Sequence, residues 1–185
     1  TTLDAFLDYA VEQGVAARDK YESSVDGPSR LTRVAGLAAA HAVDPGALRR
    51  DLLRALTFNL AIGNGDAHAK NYSLQVDRSA QYTVAPLYDA APVFLLNRRL
   101  AHFGHALAGQ VRLTYLTARH LVDEAERWGV RRGSAAETVD EVLTAIVDAV
   151  PGVPVPAGVA PDVVEAVRRR AEDLRATVPG TGRGA

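Results

Sequence analysis

Apolar residues recur at helical spacing in several stretches, and the longest of these runs from Pro45 to Ile62. Its leucines fall three or four residues apart, which places them on one face of an α-helix. Asp44 supplies a capping oxygen, and Pro45 suits the first helical position. We therefore expect a central, buried helix at this point. The same spacing predicts helices over residues 2–14, 29–41, 117–128, 134–150 and 161–177.

The pattern changes from helical spacing to alternation after the central helix. Residues 72–76 and 81–85 alternate between apolar and polar side chains, as half-buried strands do, and turn-forming residues separate them. Residues 93–115 carry a mixed signal that predicts no particular element. The expected fold class is therefore mainly α with a small β-hairpin.

The same pattern divides the chain into one main unit and its C-terminal additions. Residues 1–150 are expected to form the principal lobe, and residues 151–160 are a proline-rich linker by composition. Residues 161–177 then form a last helix of the same lobe. Residues 178–185 are expected to be a disordered tail.

Composition narrows the class of protein. Apolar residues make up 48%, charged residues 23%, and the net charge is −1, which is typical of an ordinary globular domain. The arginine clusters at 131–132 and 168–170 are interpreted as solvated surface rather than a phosphate-binding track. The absence of cysteine excludes disulfides, thiolate metal sites and a cysteine nucleophile.

The same composition also indicates where the protein is located and whether the chain is part of a longer one. No apolar run approaches the ~20 residues that a membrane span needs, so we expect no membrane association and a cytoplasmic location. The chain begins at Thr1 and contains no methionine. We therefore interpret it as a piece of a longer protein.

Four chemically capable side chains lie in the turn-rich segment between the central helix and the first strand: Asp66, His68, Lys70 and Asn71. Loops carried by rigid elements often hold functional residues. Asp89 follows the second strand, and the hairpin is expected to return it to the neighbourhood of Asp66. The sequence thus predicts a functional site at this junction.

Glycines in this segment indicate its backbone conformation. Gly63 and Gly65 follow the helix directly, where positive φ angles are common. Asn64 between them tolerates such angles better than most residues. We therefore expect positive φ at both glycines.

The residue types Asp66, Asn71 and Asp89 suit phosphoryl transfer. Mg²⁺ prefers oxygen ligands and usually takes one or two carboxylates together with substrate phosphates. A remaining carboxylate can orient a hydroxyl and accept its proton. Since phosphoryl transfer depends mainly on positioning and charge neutralisation, these three residues predict the metal-holding half of a kinase site.

A family resemblance rests on the segment from Phe58 to Leu74, which contains Asp66-x-x-x-x-Asn71, and on Ala85-Pro86-Leu87-Tyr88-Asp89 downstream. Together these segments resemble the HipA family of serine/threonine kinases, the toxin components of bacterial HipBA toxin–antitoxin systems and their relatives. Lys20-Tyr21-Glu22, followed by Gly27-Pro28-Ser29, also matches a stretch that this family carries ahead of the loop. The resemblance covers residues 1–130, most strongly 55–90, and implies a protein-kinase-like C-terminal lobe.

The resemblance also implies roles for the site residues. Asp66 would be the catalytic base, Asn71 and Asp89 would hold Mg²⁺, and His68 and Lys70 would contact the phosphates of ATP. The implied cofactors are ATP and Mg²⁺, and the implied substrate is a protein with a serine or threonine hydroxyl. A HipB-like helix-turn-helix antitoxin is the implied partner, and DNA would be contacted only through it.

Some parts of a kinase site are missing from the sequence. We find no glycine-rich phosphate loop and no strand lysine paired with a helix glutamate, and the family carries these ahead of the segment represented here. Ala90-Ala91 stands where kinases have the phenylalanine and glycine of the D-F-G element. We therefore expect the C-terminal lobe alone to be nearly inactive.

Two other interpretations remain open. The chain could be a catalytically inactive kinase lobe that binds a HipB-like antitoxin, or a metal-dependent hydrolase that uses Asp66, His68 and Asp89. His102 and His105 form an H-x-x-H pair, but a third zinc ligand of suitable spacing is missing.

Overall fold

The structure is a computed structural model that describes residues 29–68, 71–155 and 157–180. Its described part is mainly helical and contains two small antiparallel hairpins. The helix predicted over residues 2–14, the stretch from Lys20 to Pro28 and the end of the tail at 181–185 lie outside the described residues.

Helix α1 runs over Arg30–Ala39, within the predicted range. The hydroxyl of Ser29 caps its start by accepting a hydrogen bond of 3.0 Å from the backbone N–H of Thr32. Leu31 and Val34 lie on its buried face. This prediction is confirmed.

Helix α2 runs over Pro45–Ile62, as predicted. Asp44 caps its start through a 2.9 Å hydrogen bond from the N–H of Ala47. The helix ends at Gly63, whose φ of 74° lies in the left-handed region that favours glycine. This long apolar helix therefore begins and ends at the residues that the sequence indicates.

The predicted hairpin is present but short. Strand β1 (Leu74–Val76) pairs with β2 (Tyr82–Val84) in an antiparallel register that places Leu74 opposite Val84. The N–H of Tyr82 also donates to the carbonyl of His41, at 3.1 Å. The hairpin is thereby attached to the segment that follows α1.

The segment with a mixed signal contains a second hairpin, which corrects the expectation of one. A short helix α3 (Val93–Leu96) precedes strands β3 (His102–Leu107) and β4 (Gln110–Arg112). Both turn residues, Ala108 and Gly109, have positive φ angles, of 48° and 87°. Residues 103–107 of β3 are all buried, so this strand does not show the alternation by which half-buried strands are found.

The helices predicted over residues 117–128, 134–150 and 161–177 are confirmed. They are α4 (Ala118–Arg127), α5 (Arg132–Ala149) and α6 (Pro161–Arg175), with a 3₁₀ turn at Val150–Gly152 after α5. Helix α2 lies at the centre and contacts all three, as well as α1 and β2. Within the described ranges, no helix is long and apolar enough to cross a membrane.

A buried carboxylate, Glu124 of α4, joins three parts of the fold. It accepts hydrogen bonds from the hydroxyls of Ser29 and Thr32, from the N–H of Ala108 at 2.9 Å and from the indole N–H of Trp128 at 3.1 Å. A buried carboxylate is tolerated only when such donors surround it. Glu124 thus fixes α4 to the start of α1 and to the turn of the second hairpin.

The half-buried guanidinium of Arg170 in α6 corrects the interpretation of residues 168–170 as solvated surface. Its Nε donates to the carbonyl of Leu60 at 2.9 Å, and its Nη2 donates to the carbonyl of Leu113 at 3.1 Å. The guanidinium also lies 5.7 Å from the centre of the Phe94 ring. Burial, followed by the nearby charge of Arg98, lowers the pKa of Arg170 to about 10.

Candidate active site

The polar loop begins where α2 ends, and hydrogen bonds fold it around the backbone of Asp66. The N–H of His68 and the side-chain amide of Asn71 both donate to the carbonyl of Asp66, at 2.7 and 2.9 Å. The N–H of Asp66 donates to the side-chain oxygen of Asn64 at 3.2 Å. These contacts fix the backbone from which the Asp66 carboxylate projects.

The side chains of Asp66 and His68 lie together but differ in exposure. The Asp66 side chain is 46% exposed and the His68 side chain 9%, and 3.8 Å separates Asp66 Oδ1 from His68 Nε2. A half-exposed carboxylate can be reached by a hydroxyl from solvent. Lys70, the other predicted phosphate contact, lies outside the described residues.

Asn71 presents one oxygen that the protein does not use. Its amide nitrogen is occupied by the hydrogen bond to Asp66, and its Oδ1 accepts no hydrogen bond from the residues that the structure describes. The side chain is otherwise buried. An amide oxygen that accepts no hydrogen bond from the protein is a suitable ligand for a hard cation.

A relay of buried polar side chains connects the loop to Asp89. The side-chain amide of Asn64 donates to Asn59 Oδ1 at 2.8 Å and to the carbonyl of Asp89 at 3.3 Å. The amide of Asn59 in turn donates to the hydroxyl of Tyr72 at 3.0 Å. Burial raises the pKa of Tyr72, so this hydroxyl stays neutral. The structure thus brings Asp89 to the loop that carries Asp66, as the sequence predicts.

The backbone of Asp89 adopts an uncommon conformation. Its φ is 54°, in the left-handed region, which is unfavourable by about 1–2 kcal/mol for a residue with a side chain. The neighbouring Tyr88 is held by a 3.0 Å hydrogen bond from the hydroxyl of Ser73. Asp89 is exposed, and its carboxylate makes no hydrogen bond or ion pair with the described residues. An exposed carboxylate without a protein partner suits a cation ligand.

Strand β3 lies directly against the loop backbone. A Cβ atom on Gly104 would lie 2.4 Å from the carbonyl oxygen of Ala67. A Cβ atom on Gly65 would lie 2.5 Å from the carbonyl oxygen of Leu100. Only glycine permits approaches as close as these. The expectation of positive φ is thus confirmed at Gly63 and wrong at Gly65, whose role is to leave room for the chain before β3.

A neutral histidine, His105, lies under the loop. It is fully buried, and its ring meets those of Tyr72 and Phe103 edge to face, with centroids 5.6 and 6.2 Å away. Neither ring nitrogen has a hydrogen-bond partner in the part of the chain that is described. Burial, followed by the charges of Arg30 and His68, lowers the pKa of His105 to about 3.

An open cavity of about 460 Å³ lies beside Asp66. Its walls come from the loop, from the start of α3 and from the segment that leads into β3. Its lining residues are Gly65, Asp66, Val93, Arg99, Leu100, Ala101 and His102. The candidate base therefore faces a space that can accept part of another molecule.

The donor set fits Mg²⁺ better than zinc. Among the described residues, no three His, Asp or Glu side chains form a cluster that could hold a metal. His102 is exposed whereas His105 is fully buried, so the H-x-x-H pair does not share one environment. Asn71 and Asp89 offer one amide oxygen and one carboxylate, which suits a cation that takes its other ligands from phosphates and water.

The sequence alone indicates no polar contact for two residues of the site, Asn59 and Asn64. Both are polar residues at buried positions, Asn59 near the end of α2 and Asn64 just after it. A polar residue within an apolar helical pattern is the signal that marks Asn59, because a buried amide requires partners. The identity of those partners becomes visible only in the folded chain.

Comparison with known proteins adds two findings. A family model described as the HipA-like C-terminal domain matches residues 5–150. The fold is also similar, with a TM-score of 0.62, to a chain from the Shewanella oneidensis MR-1 toxin–antitoxin complex of HipA, HipB and operator DNA. The two sequences are 24% identical over 79% of this chain and 34% of that one, so this chain spans about a third of its length. The comparison with curated proteins finds no match.

Proposed function

Because this chain belongs to the family of HipA-like C-terminal domains, we propose that it is the catalytic lobe of a HipA-like serine/threonine protein kinase. The observation that supports this proposal best is the relay from Asn59 through Asn64 to Asp89. This relay holds Asp89 beside the loop that carries Asp66. A kinase site needs this arrangement, since the base and the metal ligands act on the same phosphoryl group.

In this proposal, Asp66 accepts the proton of the acceptor hydroxyl. Its carboxylate is half-exposed and faces the cavity, while its backbone is fixed by His68 and Asn71. Positioning of this kind is the main contribution that a protein makes to phosphoryl transfer. The close contact with His68 favours the ionised carboxylate when the imidazole is protonated.

Asn71 and Asp89 would hold Mg²⁺ through the amide oxygen and the carboxylate. When bound, this ion neutralises negative charge on the transferred phosphoryl group. His68, which is nearly buried beside Asp66, and Lys70 are proposed to contact the phosphates of ATP. The role of Lys70 rests on the family resemblance alone.

The wider assembly is part of the same proposal. The similar chain of known structure is more than twice as long and comes from a complex with HipB and operator DNA. We propose that this lobe acts in the cytoplasm within a longer toxin protein that supplies the ATP-gripping parts. A HipB-like antitoxin would bind that protein and provide its indirect link to DNA.

The metal site can be tested with Mn²⁺ as a paramagnetic substitute for Mg²⁺. We expect Mn²⁺ to broaden the amide resonances around Asn71 and Asp89, and Asp89→Ala to abolish that broadening. Asp148→Ala removes an exposed carboxylate on α5 and should leave the broadening unchanged. Equal effects of the two substitutions would show that the binding is not specific.

The catalytic assignment is tested by transfer of labelled γ-phosphate from ATP to protein, with the longer toxin protein as the enzyme. Loss of a general base lowers rates by about a hundredfold or more, so Asp66→Ala should remove nearly all transfer. Unchanged transfer in this variant would contradict the assignment. If even the unmodified protein transfers no phosphate but binds the antitoxin, the lobe is an interaction module. Turnover by the 185 residues without ATP would instead indicate the hydrolase.

A further inference from the structure

The segment after Asp89 has an unbalanced charge. Residues 90–122 contain four arginines and neither aspartate nor glutamate, although the whole chain has 21 basic and 22 acidic residues. This segment includes α3 and the second hairpin, and it forms most of the cavity beside Asp66. One of these arginines, Arg99, lies in the wall of the cavity that Asp66 also lines.

The arginines of this segment differ in their partners. Arg98 lies over the ring of Phe94, 4.6 Å from its centre, and Arg119 lies 3.9 Å from Asp123. The guanidinium of Arg99 makes no ion pair or hydrogen bond with the described residues, and it lines the cavity. An arginine without a protein partner can form a bidentate pair with a carboxylate from another molecule.

The remaining walls of the cavity favour a peptide over a small anion. Leu100 is 47% exposed at this site, and Val93 and Ala101 add further apolar surface. A volume of about 460 Å³ lies within the range of ligand-binding pockets. The cavity thus combines an apolar surface, one carboxylate that can accept a proton and one unpaired guanidinium.

We propose that this cavity binds the acceptor segment of a protein substrate, and that Arg99 selects segments with an acidic side chain close to the acceptor hydroxyl. This inference rests on the proposed function, because it needs Asp66 as the base. In the reaction, the acceptor oxygen bonds to the γ-phosphorus of ATP as the bond from that phosphorus to ADP breaks. The hydroxyl proton passes to Asp66. Arg99 contacts the acceptor outside the reacting atoms and determines specificity.

The test uses three fluorescently labelled peptides that differ only in the residue beside a central serine, which is followed by glutamate, glutamine or lysine. Their binding to the 185-residue protein is measured by fluorescence anisotropy without nucleotide or metal. We expect the glutamate peptide to bind about fivefold or more tightly than the glutamine peptide, and added salt to reduce the difference. Arg99→Glu should reverse the order and favour the lysine peptide.

Arg78→Glu is the matched control, because Arg78 is an exposed arginine in the turn of the first hairpin. It makes the same change of net charge and should leave the glutamate preference intact. Equal binding of the three peptides, or equal effects of Arg78→Glu and Arg99→Glu, would overturn the proposal. Binding of duplex DNA that Arg99→Glu abolishes, without any peptide preference, would also overturn it.

The failure of this inference can be distinguished from failure of the proposed function. The peptide assay needs neither ATP nor Mg²⁺, whereas the kinase assignment is tested by phosphate transfer and by Mn²⁺ binding. Loss of peptide selectivity together with Asp66-dependent transfer would overturn only the role of Arg99. Thermal unfolding of both arginine variants verifies that each one is folded.

Discussion

The imidazole of His105 is an unusual polar group, because it is fully buried among aromatic rings and makes no hydrogen bond with the described residues. Its lowered pKa means that the folded protein holds it neutral, whereas the unfolded chain protonates it near its ordinary pKa of 6.5. The unfolded state therefore binds more protons between pH 6.5 and about 3. Stability due to this group is fully present above pH 6.5 and is lost as the pH falls through that window.

We therefore predict that His105→Leu reduces the acid sensitivity of folding. One group of this kind changes the free energy of unfolding by up to about 1.4 kcal/mol per pH unit. At pH 7.5 the substitution should change stability by less than about 1.5 kcal/mol, because the volumes are similar and no hydrogen bond is lost. Urea unfolding at a series of pH values measures both effects.

His102→Leu is the control, since it removes an exposed imidazole from the same strand. Its unfolding free energy should depend on pH as that of the unmodified protein does. If His105→Leu and the unmodified protein show the same dependence between pH 6.5 and 4, His105 is not held neutral by the fold.

At the level of single residues, the sequence predicts candidate catalytic and metal-binding residues better than it predicts the residues that fix the fold around them. Asp66 and Asp89 stand out because their residue types and spacing match a known chemical task. Glu124 does not, because on its own it looks like an exposed helical glutamate. Its donors include groups up to 95 residues away along the chain, which reach it only after folding.

Among the elements, strand β3 constrains the site directly, because it contacts the polar loop backbone to backbone. We predict that Gly104→Ala lowers the free energy of unfolding by about 3 kcal/mol, since the added methyl group collides with the carbonyl of Ala67. Urea unfolding measures the loss. NMR should show shifted amide resonances for residues 66–68.

Gly36→Ala is a matched control, because a Cβ at this position of α1 meets nothing within 4 Å. It should raise stability by about 0.5–1 kcal/mol through its effect on helix propensity. If Gly104→Ala is as stable as Gly36→Ala, the loop and the strand are not in tight contact.

The elements that the sequence predicts well are those with local signals. Helix α2 has its capping residue, its apolar stripe and its terminating glycine within its own segment, so its limits are predicted to the residue. Strand β3 has no comparable local signal, because burial on both faces removes the alternation. Its position depends on the loop and on α1, which are distant in sequence.

For the molecule as a whole, Arg170 connects the last helix to the rest of the lobe. It binds carbonyl oxygens on two segments that lie 110 and 57 residues away. We predict that Arg170→Ala lowers the free energy of unfolding by about 2–3 kcal/mol, because it removes two charge-assisted hydrogen bonds. The carbonyl of Leu60 keeps the N–H of Gly63 as a donor, whereas the carbonyl of Leu113 loses its donor. Thermal and urea unfolding measure the change.

Arg169→Ala provides the comparison, since the neighbouring side chain is 63% exposed and reaches Glu165 only at 3.9 Å. Its removal should change stability little. Similar losses in the two variants would mean that Arg170 acts as part of a general positive surface. The sequence could not separate the two arginines, because the packing of α6 decides which of them faces inward.

The relay through Asn64 also has a consequence for the chemical ageing of the protein. Asn64 is followed by Gly65, and an asparagine before glycine is prone to deamidation because the glycine nitrogen can attack the amide. The product is a carboxylate, which cannot donate to Asn59 or to the carbonyl of Asp89. Burial of Asn64 and its two hydrogen bonds oppose this reaction while the protein is folded. Preparations stored under partly unfolding conditions should therefore lose the alignment of Asp89 before they lose the helical core.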